Sequence, residues 1–386
     1  MPFDCQFRST HGQDACVDRC PTTGADPTFV FARIEQAADL PPIDPYTIDV
    51  AVLDMHHGWP NLGHDAIGYG IQNIVCDITP ALRAAGLRVR VLSYDVRRGH
   101  QIPEPPGDRH RIYIGTGGPG HLDPRLNDGV SPGSQGIKED PGWEPRLFAL
   151  FDDIRSDGQA ALLAVCHTFG VMCRWLGIAD VVLRGDEKGG KSSGIADNLL
   201  TDAALDHPWF SGLGRELPGR RRLKILDNRL YDLIPRGPIT PPVVALSCEA
   251  TGIGGGPGDA LTAIEVARDP EGQMPRILSV NHHPEIVNRA GQLAILEQKL
   301  ERGEVSAQWV AERREILTRS YPGESSEHLL QLTSDYTLLR PLRFHLQRQV
   351  RLRAESLGLG VNLHEDQVAL GSAVPVAPLL PVLEIR

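Results

Sequence analysis

The stretch "LLAVCHTFGVMCRWLG" (162–177) sets a thiol, Cys166, where a run of small apolar residues stops and a helical pattern begins. "AALLAV" before it reads as a buried strand. After it, Phe169, Met172, Cys173 and Leu176 fall at i, i+3, i+4 and i+7, one apolar helix face, and Gly177 supplies a C-terminal stop. Cys166 is therefore expected at a tight strand-to-helix turn, the geometry of a nucleophile elbow. Such a turn presents its side chain at the carboxyl end of a sheet, where α/β folds bind ligands. The unpaired N–H groups and positive dipole end of the helix there favour a thiolate. A free cysteine is far more often a small buried hydrophobe, and Cys173, on the apolar face, fits that reading. Cys166 becomes a nucleophile only with partners.

Two other segments offer them. "PRILSVNHHPEIV" is a strand run that ends in His282, His283, Pro284 and Glu285. A base needs a ring nitrogen fixed in one tautomer by a second group, and Glu285, two residues past His283 across a rigid proline, can be that group. His282 is expected on the opposite side of the strand from His283, because successive side chains alternate. "RIYIGTGGPGHLDP" is a strand run that ends in a glycine turn, where Gly117 and Gly118 leave backbone N–H groups unobstructed. One such donor aimed at a developing oxyanion is worth roughly 3–4 kcal/mol. A thiol, a His–Glu pair and bare N–H groups, each at a strand end, make a nucleophilic constellation.

The elements that must carry these groups are visible as a pattern. "DVAVLDM", "RVRVLSYDV", "HRIYIGTG", "AALLAVC", "VVALSCEA", "LTAIEVA" and "PRILSVNHH" are short β-rich runs, several of them continuously apolar. Such runs suit strands buried on both faces. Helical patterns lie between some of them, notably "IQNIVCDITPALRAAG", "EPRLFALFDDIRSDG" and "HTFGVMCRWLG". The alternation predicts an α/β domain with a mostly parallel central sheet and helices on both faces. Residues 1–45 read as a polar N-terminal extension, 46–290 as the α/β domain, and 291–386 as a helical C-terminal extension interrupted by Pro341 and ending in a Pro-rich tail. A helical face outside the core needs a cover, which suggests self-association of that extension.

The three segments, in this order, resemble the class I glutamine amidotransferase-like superfamily. Its members show a strand ending in Gly-Gly-Pro-Gly, an elbow Gly-x-Cys-x-Gly-x-Gln, and a strand ending in His-Pro-Glu; here stand "GTGGPG", "AVCHTFG" and "NHHPE". "HPWFSGLG" (207–214) is similar to a segment often found between elbow and His-Pro-Glu. The resemblance covers about residues 48–290. It implies a flavodoxin-like fold, Cys166 as nucleophile, His283 as base and Glu285 as its orienting acid. It places the Gly118 N–H and the His167 backbone N–H in the oxyanion hole, with Gly117, Thr168 and Asn281 bordering the substrate. The implied reaction is attack on the glutamine side-chain amide, release of ammonia and hydrolysis or transfer of a γ-glutamyl thioester, with no metal or organic cofactor. The substrate is then a small molecule, glutamine first, and a synthetase or acceptor chain is the implied partner, since no such domain follows. The elbow departs from the pattern at Ala164, Thr168 and Gly170, where the superfamily has Gly, Gly and Gln. A Cβ at the first two crowds the strand–helix approach, and loss of the glutamine alters substrate recognition. Homoserine O-acyltransferases share the fold and the Cys, His, Glu set, and "EKGGKSSGIADN" (187–198) is similar to a Lys-x-Ser-Gly-Val segment there. Acyl transfer on the same triad is the second reading. A degenerate relative that binds a metabolite or partner is the third.

The rest of the chain sets bounds. A net charge of −10 over 386 residues argues against a nucleic-acid binder, because phosphate binding needs a basic face. No apolar run approaches the ~20 residues of a membrane helix, and the first residues lack an apolar signal-peptide centre. Seven irregularly spaced cysteines argue for a reducing, cytoplasmic setting. Asp54, His56, His57, His64 and Asp65 crowd one strand end without an established zinc spacing, and Trp59 and Tyr69 could wall a pocket there. Cys5, His11, Cys16 and Cys20 are spaced too loosely for a metal site. "TGIGGGPGDA" reads as a hairpin loop rather than a dinucleotide fingerprint, because Pro257 interrupts it. Lys188 and Lys191 sit in a glycine-rich loop that could reach a substrate carboxylate.

Overall fold

The computed structural model describes residues 28–58, 61–251, 255–287, 289–318 and 325–363. The Cys5, His11, Cys16 and Cys20 group, Trp59 and the Pro-rich tail lie outside the described residues. Among those described, the strands are β1 (Phe29–Ile34), β2 (Thr47–Asp54), β3 (Arg88–Asp95), β4 (His110–Gly115), β5 (Ala161–Val165), β6 (Ala179–Leu183), β7 (Ser192–Leu200), β8 (Arg222–Arg229), β9 (Tyr231–Pro235), β10 (Val244–Ala250), β11 (Pro257–Arg268) and β12 (Pro275–Val280). The helices are α1 (Leu62–Ala85), α2 (Glu144–Asp157), α3 (His167–Leu176), α4 (Asp202–Leu205), α5 (Phe210–Glu216), α6 (Arg289–Glu301), α7 (Ala307–Thr318), α8 (Ser325–Ser334) and α9 (Arg340–Ser356).

The strands form one mixed sheet in the order β1-β3-β2-β4-β5-β12-β11-β10-β7-β8, with β9 and β6 branching from β11. Every ladder from β1 to β12 is parallel. Beyond β12 the ladders are antiparallel. The parallel half expected from the apolar runs is thus extended by an antiparallel wing. The β10–β11 connection is the hairpin expected there. Of the strands β6 to β9, which escape the sequence reading, β8 alternates partly exposed with buried positions and β6 is exposed along most of its length.

The parallel strands alternate their side chains between two cores. Val50 and Val52 of β2 face α1, α8 and α9, whereas Ala51 and Leu53 face α2 and α3. Consecutive strands leave β2 in opposite directions, β3 to one side and β4 to the other, so a topological switch point opens at the carboxyl ends of β2 and β4. The ends of β4, β5 and β12 lie side by side next to it.

Both expected extensions take part in this body. Phe29–Ile34, inside the segment read as polar, pairs in parallel with β3 at the sheet edge. Its flanking Pro, Asp and Thr conceal a strand that is only half-buried. At the other end α9 lies on β2, β4 and β12, and its Leu342, Leu346 and Val350 are fully buried in the same core as Val50. The apolar face expected to need an outside partner is covered by the sheet of its own chain. His345 of α9 is buried, and its Nε2–H donates to the Pro275 carbonyl at 2.8 Å.

Burial pushes the His345 imidazole down to about 4. A histidine whose folded value lies below its unfolded value near 6.5 costs stability as the pH falls, because the unfolded chain binds the proton first. The urea midpoint should therefore drop between pH 6.5 and pH 4, His345 contributing up to about 3 kcal/mol of that fall. His345→Gln, which keeps a donor for Pro275, should show a shallower dependence on pH. An unchanged slope in the variant would count against this account.

Candidate active site

Cys166 occupies the turn between β5 and α3 with φ 48° and ψ −104°. A side chain other than glycine at positive φ costs about 1–3 kcal/mol and persists only where its surroundings hold it. Here the Cys166 N–H donates to the Val280 carbonyl at 2.8 Å, and the Cys166 carbonyl accepts from the Gly170 N–H at 3.2 Å. The strain turns the thiol out of the sheet at the first turn of α3, half-buried rather than sealed.

His283 follows β12, the strand adjacent to β5. Its backbone N–H donates to the Leu226 carbonyl of β8 at 2.9 Å. Its Nδ1–H donates to Glu285 Oε1 at 2.8 Å, which fixes the tautomer. Both groups are buried, and His283 Nε2 has no hydrogen-bond partner among the described residues. The ring and the thiol meet across Gly117: a Cβ there would lie 3.0 Å from His283 Cε1 and 3.7 Å from Cys166 Sγ. Burial opposes a charge on His283, but its interactions with Cys166 and Glu285 outweigh that, and the imidazole pKa stands well above its ordinary value. His282, beyond the end of β12, turns the other way, toward the Thr337 hydroxyl at 3.3 Å, and burial with repulsion from His283 holds it neutral, down to about 3.

The glycine turn after β4 is held from beneath. Arg97 Nη1 donates to the Met55 carbonyl at 2.8 Å and to the Pro119 carbonyl at 2.7 Å. Its Nε and Nη2 form a two-pronged pair with Glu139 at 2.6 and 2.7 Å, both side chains wholly buried. Gly118 is forced: a Cβ would stand 2.2 Å from the Met55 carbonyl oxygen. The Gly118 and His167 N–H groups donate to no acceptor among the described residues. The His167 ring is buried under the turn, and burial together with the Arg97 charge depresses its pKa well below the usual value.

The departures from the elbow pattern have visible compensations. Thr168, expected at the substrate, is fully buried and faces the sheet instead: its hydroxyl donates to the Thr116 carbonyl at 2.7 Å. Gly115 makes the room, since a Cβ there would lie 2.3 Å from Thr168 Cγ2. The strand and helix therefore approach closely at this contact. At Gly170 a Cβ would lie 2.3 Å from Leu122 Cδ1, so Leu122 fills the space a longer side chain would claim. Asn281 is buried at the end of β12 with its Nδ2 unpartnered.

Two polar residues near the pair were not foreseen as a group. Asp227 of β8 is buried, accepts from the Ser192 hydroxyl at 2.6 Å, and is pushed up by burial. Its signal was available: "LKILDNR" alternates, and Asp227 and Arg229 occupy the inward positions of Leu223 and Ile225. Lys191 lies within electrostatic reach of Cys166 and Asp227, its pKa lowered by loss of hydration against their pull. Lys188 is instead engaged with Asp232 and Asp259, each at 3.1 Å. His207 is structural: its Nδ1 accepts from the Trp209 N–H, and its Nε2 meets Glu265 at 2.7 Å. At the end of β2, Asp54 pairs with His56 at 2.8 Å and Arg33 at 2.8 Å. No group of His, Cys, Asp or Glu among the described residues is arranged to hold a metal ion. Tyr69 lies in the second turn of α1.

No family model matches the sequence, and comparison with curated proteins finds no relative. Solved structures with a partly similar course include a protein from Thermoplasma acidophilum named as a candidate GMP synthase component, at 14% identity and TM-score 0.36, covering 70% of this chain and 98% of that one. Another is SMU.1228c, at 16% identity and TM-score 0.40 over 79% and 99%. A third is a ThuA-like protein from Bacteroides uniformis, at 7% identity and TM-score 0.33 over 68% and 92%. Likenesses this remote carry no argument about activity. No described helix is long and apolar enough to cross a membrane.

Two outcomes follow from the geometry. Gly115→Ala should destabilise the protein by about 1–3 kcal/mol through overpacking, and adding Thr168→Gly should recover part of that in urea unfolding. Cys166→Ala removes one of the groups that raise His283, so the His283 midpoint in an NMR titration should fall relative to the parent protein.

Proposed function

We propose that this protein is a cysteine-dependent acyl-transfer enzyme of the class I glutamine amidotransferase-like kind. The observation that carries the reading is the meeting of Cys166 with the Glu285-backed His283 across Gly117, beside two N–H groups without acceptors. In the reaction, Cys166 Sγ attacks a carbonyl carbon, and the Gly118 and His167 N–H groups receive the oxyanion. The carbon–nitrogen bond breaks as the leaving amine takes a proton from His283 Nε2. A water molecule then attacks the thioester carbon, yielding its proton to His283, and the carbon–sulfur bond breaks to free the acid and the thiolate. Glu285 stays ionised and steadies the imidazolium. Hydrogen bonds of this kind tighten when substrate arrives, which accords with the unpartnered His283 Nε2.

The leading acyl donor is the side-chain amide of glutamine, its ammonia passing to water or to an acceptor on another chain. Lys191, within electrostatic reach of Cys166, suits a carboxylate at the far end of such a substrate. The packing of Leu122 on Gly170 favours a second reading. Where the superfamily's glutamine side chain is replaced by a filled wall, transfer from an activated ester to a small acceptor becomes the competing reaction on the same three residues.

Intact-mass measurement separates these. Exposure to diazo-oxo-norleucine should add one adduct to the parent protein and none to Cys166→Ala. An adduct formed only with an acyl ester would move the substrate to the second reading. A parent protein inert to both would defeat the proposal.

A further inference from the structure

The residues expected to form a separate C-terminal extension end up against the catalytic turn. Between α8 and α9 the helix passes through a π-helical turn, Asp335–Leu339, in which the Arg340 N–H reaches back five residues to the Asp335 carbonyl. Pro341 explains it. Proline has no N–H to donate, and its ring crowds the carbonyl four residues earlier, so the helix widens locally. The Tyr336 carbonyl, left without its helical donor, accepts from the Trp209 indole at 2.9 Å. π-Turns of this kind are rare and gather at functional sites.

What the turn touches is the His282–Glu285 segment. The Thr337 hydroxyl donates to the Thr333 carbonyl at 2.7 Å, leaving its lone pair for His282 Nε2–H at 3.3 Å. The Ser334 hydroxyl donates to the Pro284 carbonyl. From α6, Gln292 Nε2 reaches the Glu285 carbonyl at 3.5 Å. On the opposite side, the first turn of α1 abuts the Glu285 carboxylate. A Cβ on Gly63 would stand 2.6 Å from Glu285 Oε1. The Asn61 side chain caps that turn by accepting from the Gly63 N–H at 2.6 Å. Glu285 Oε2 is buried with no hydrogen-bond partner among the described residues. A buried carboxylate with a bare oxygen costs several kcal/mol unless nearby charge offsets it. The positive end of a 24-residue helix supplies such charge.

We infer that the π-turn of the C-terminal helices and the first turn of α1 form a two-sided seat for the His283–Glu285 pair, with Gly63, Ser334 and Thr337 as positioning residues. This rests on the reading of His283 and Glu285 as base and acid. Gly63 is glycine because the carboxylate must lie against its Cα. Ser334 and Thr337 set the height of the His282–Pro284 backbone, and so the point at which His283 meets Cys166.

The test uses the full chain and the His283 titration by NMR, its signal assigned by its loss in His283→Gln. Gly63→Ala should push Glu285 away and lower the His283 midpoint toward that of an ordinary histidine. Adding Glu285→Asp, which withdraws the carboxylate by one methylene, should restore part of the shift. Ser334→Ala and Thr337→Val should each lower the midpoint by a smaller amount. Gly237→Ala, where an added Cβ meets nothing within 4 Å, should leave it in place. Parent midpoints in Gly63→Ala and Ser334→Ala, or an equal shift in Gly237→Ala, would overturn the seat. If Gly63→Ala does not fold, the two hydroxyl deletions decide alone. Because the readout needs no turnover, an inert Cys166 would defeat the acyl-transfer reading and leave the seat standing.

Discussion

The charge relation among Cys166, His283 and Glu285 is what the surrounding structure has to maintain. An imidazole buried this far would ordinarily be held neutral. It is drawn toward its charged form because Cys166 lies on one side and Glu285 on the other, and both favour the protonated ring. Each of the three groups alone in that space would be destabilising. Together they offset one another only while the distances hold, so the fold's main task is to fix three strand ends and one turn relative to each other.

Several devices do this, most of them backbone constraints. Adjacent parallel strands β4, β5 and β12 set the lateral spacing. Gly115 and Gly118 lack a Cβ where one would collide with Thr168 or with the Met55 carbonyl. The wholly buried Arg97–Glu139 pair pins the glycine turn by two carbonyls. A pair of this sort adds little net stability, yet breaking it by removing one partner typically costs about 3–5 kcal/mol. That makes it suited to specifying a loop conformation rather than to stabilising the fold as a whole. The strain at Cys166 is sustained because bonds to Val280 and Gly170 hold both sides of the turn.

Two residues of α3 are matched to partners across the contacts they make. Thr168 needs Gly115, and Leu122 needs Gly170, because a Cβ on either glycine would collide with its partner. The first pair lies beside the turn that carries Cys166. The second closes the space next to the first turn of α3.

The sequence alone determined the periodicities. Cys166 between an apolar run and a helical face, glycine after β4, and His-Pro-Glu after β12 were legible because local pattern and backbone chemistry depend on neighbours in the chain. Strands β1 and β6 were not, since a strand that is half-exposed carries a weaker pattern. Asp227 was legible in principle, as a carboxylate on the inward side of an alternating strand. Only the tertiary structure decided that Thr168 faces the sheet, that α9 is a wall of the core, and that Pro341 creates the turn on which His282 rests. Those facts depend on contacts between residues distant in the chain, such as Thr337 with His282, and no local period encodes which surfaces will meet.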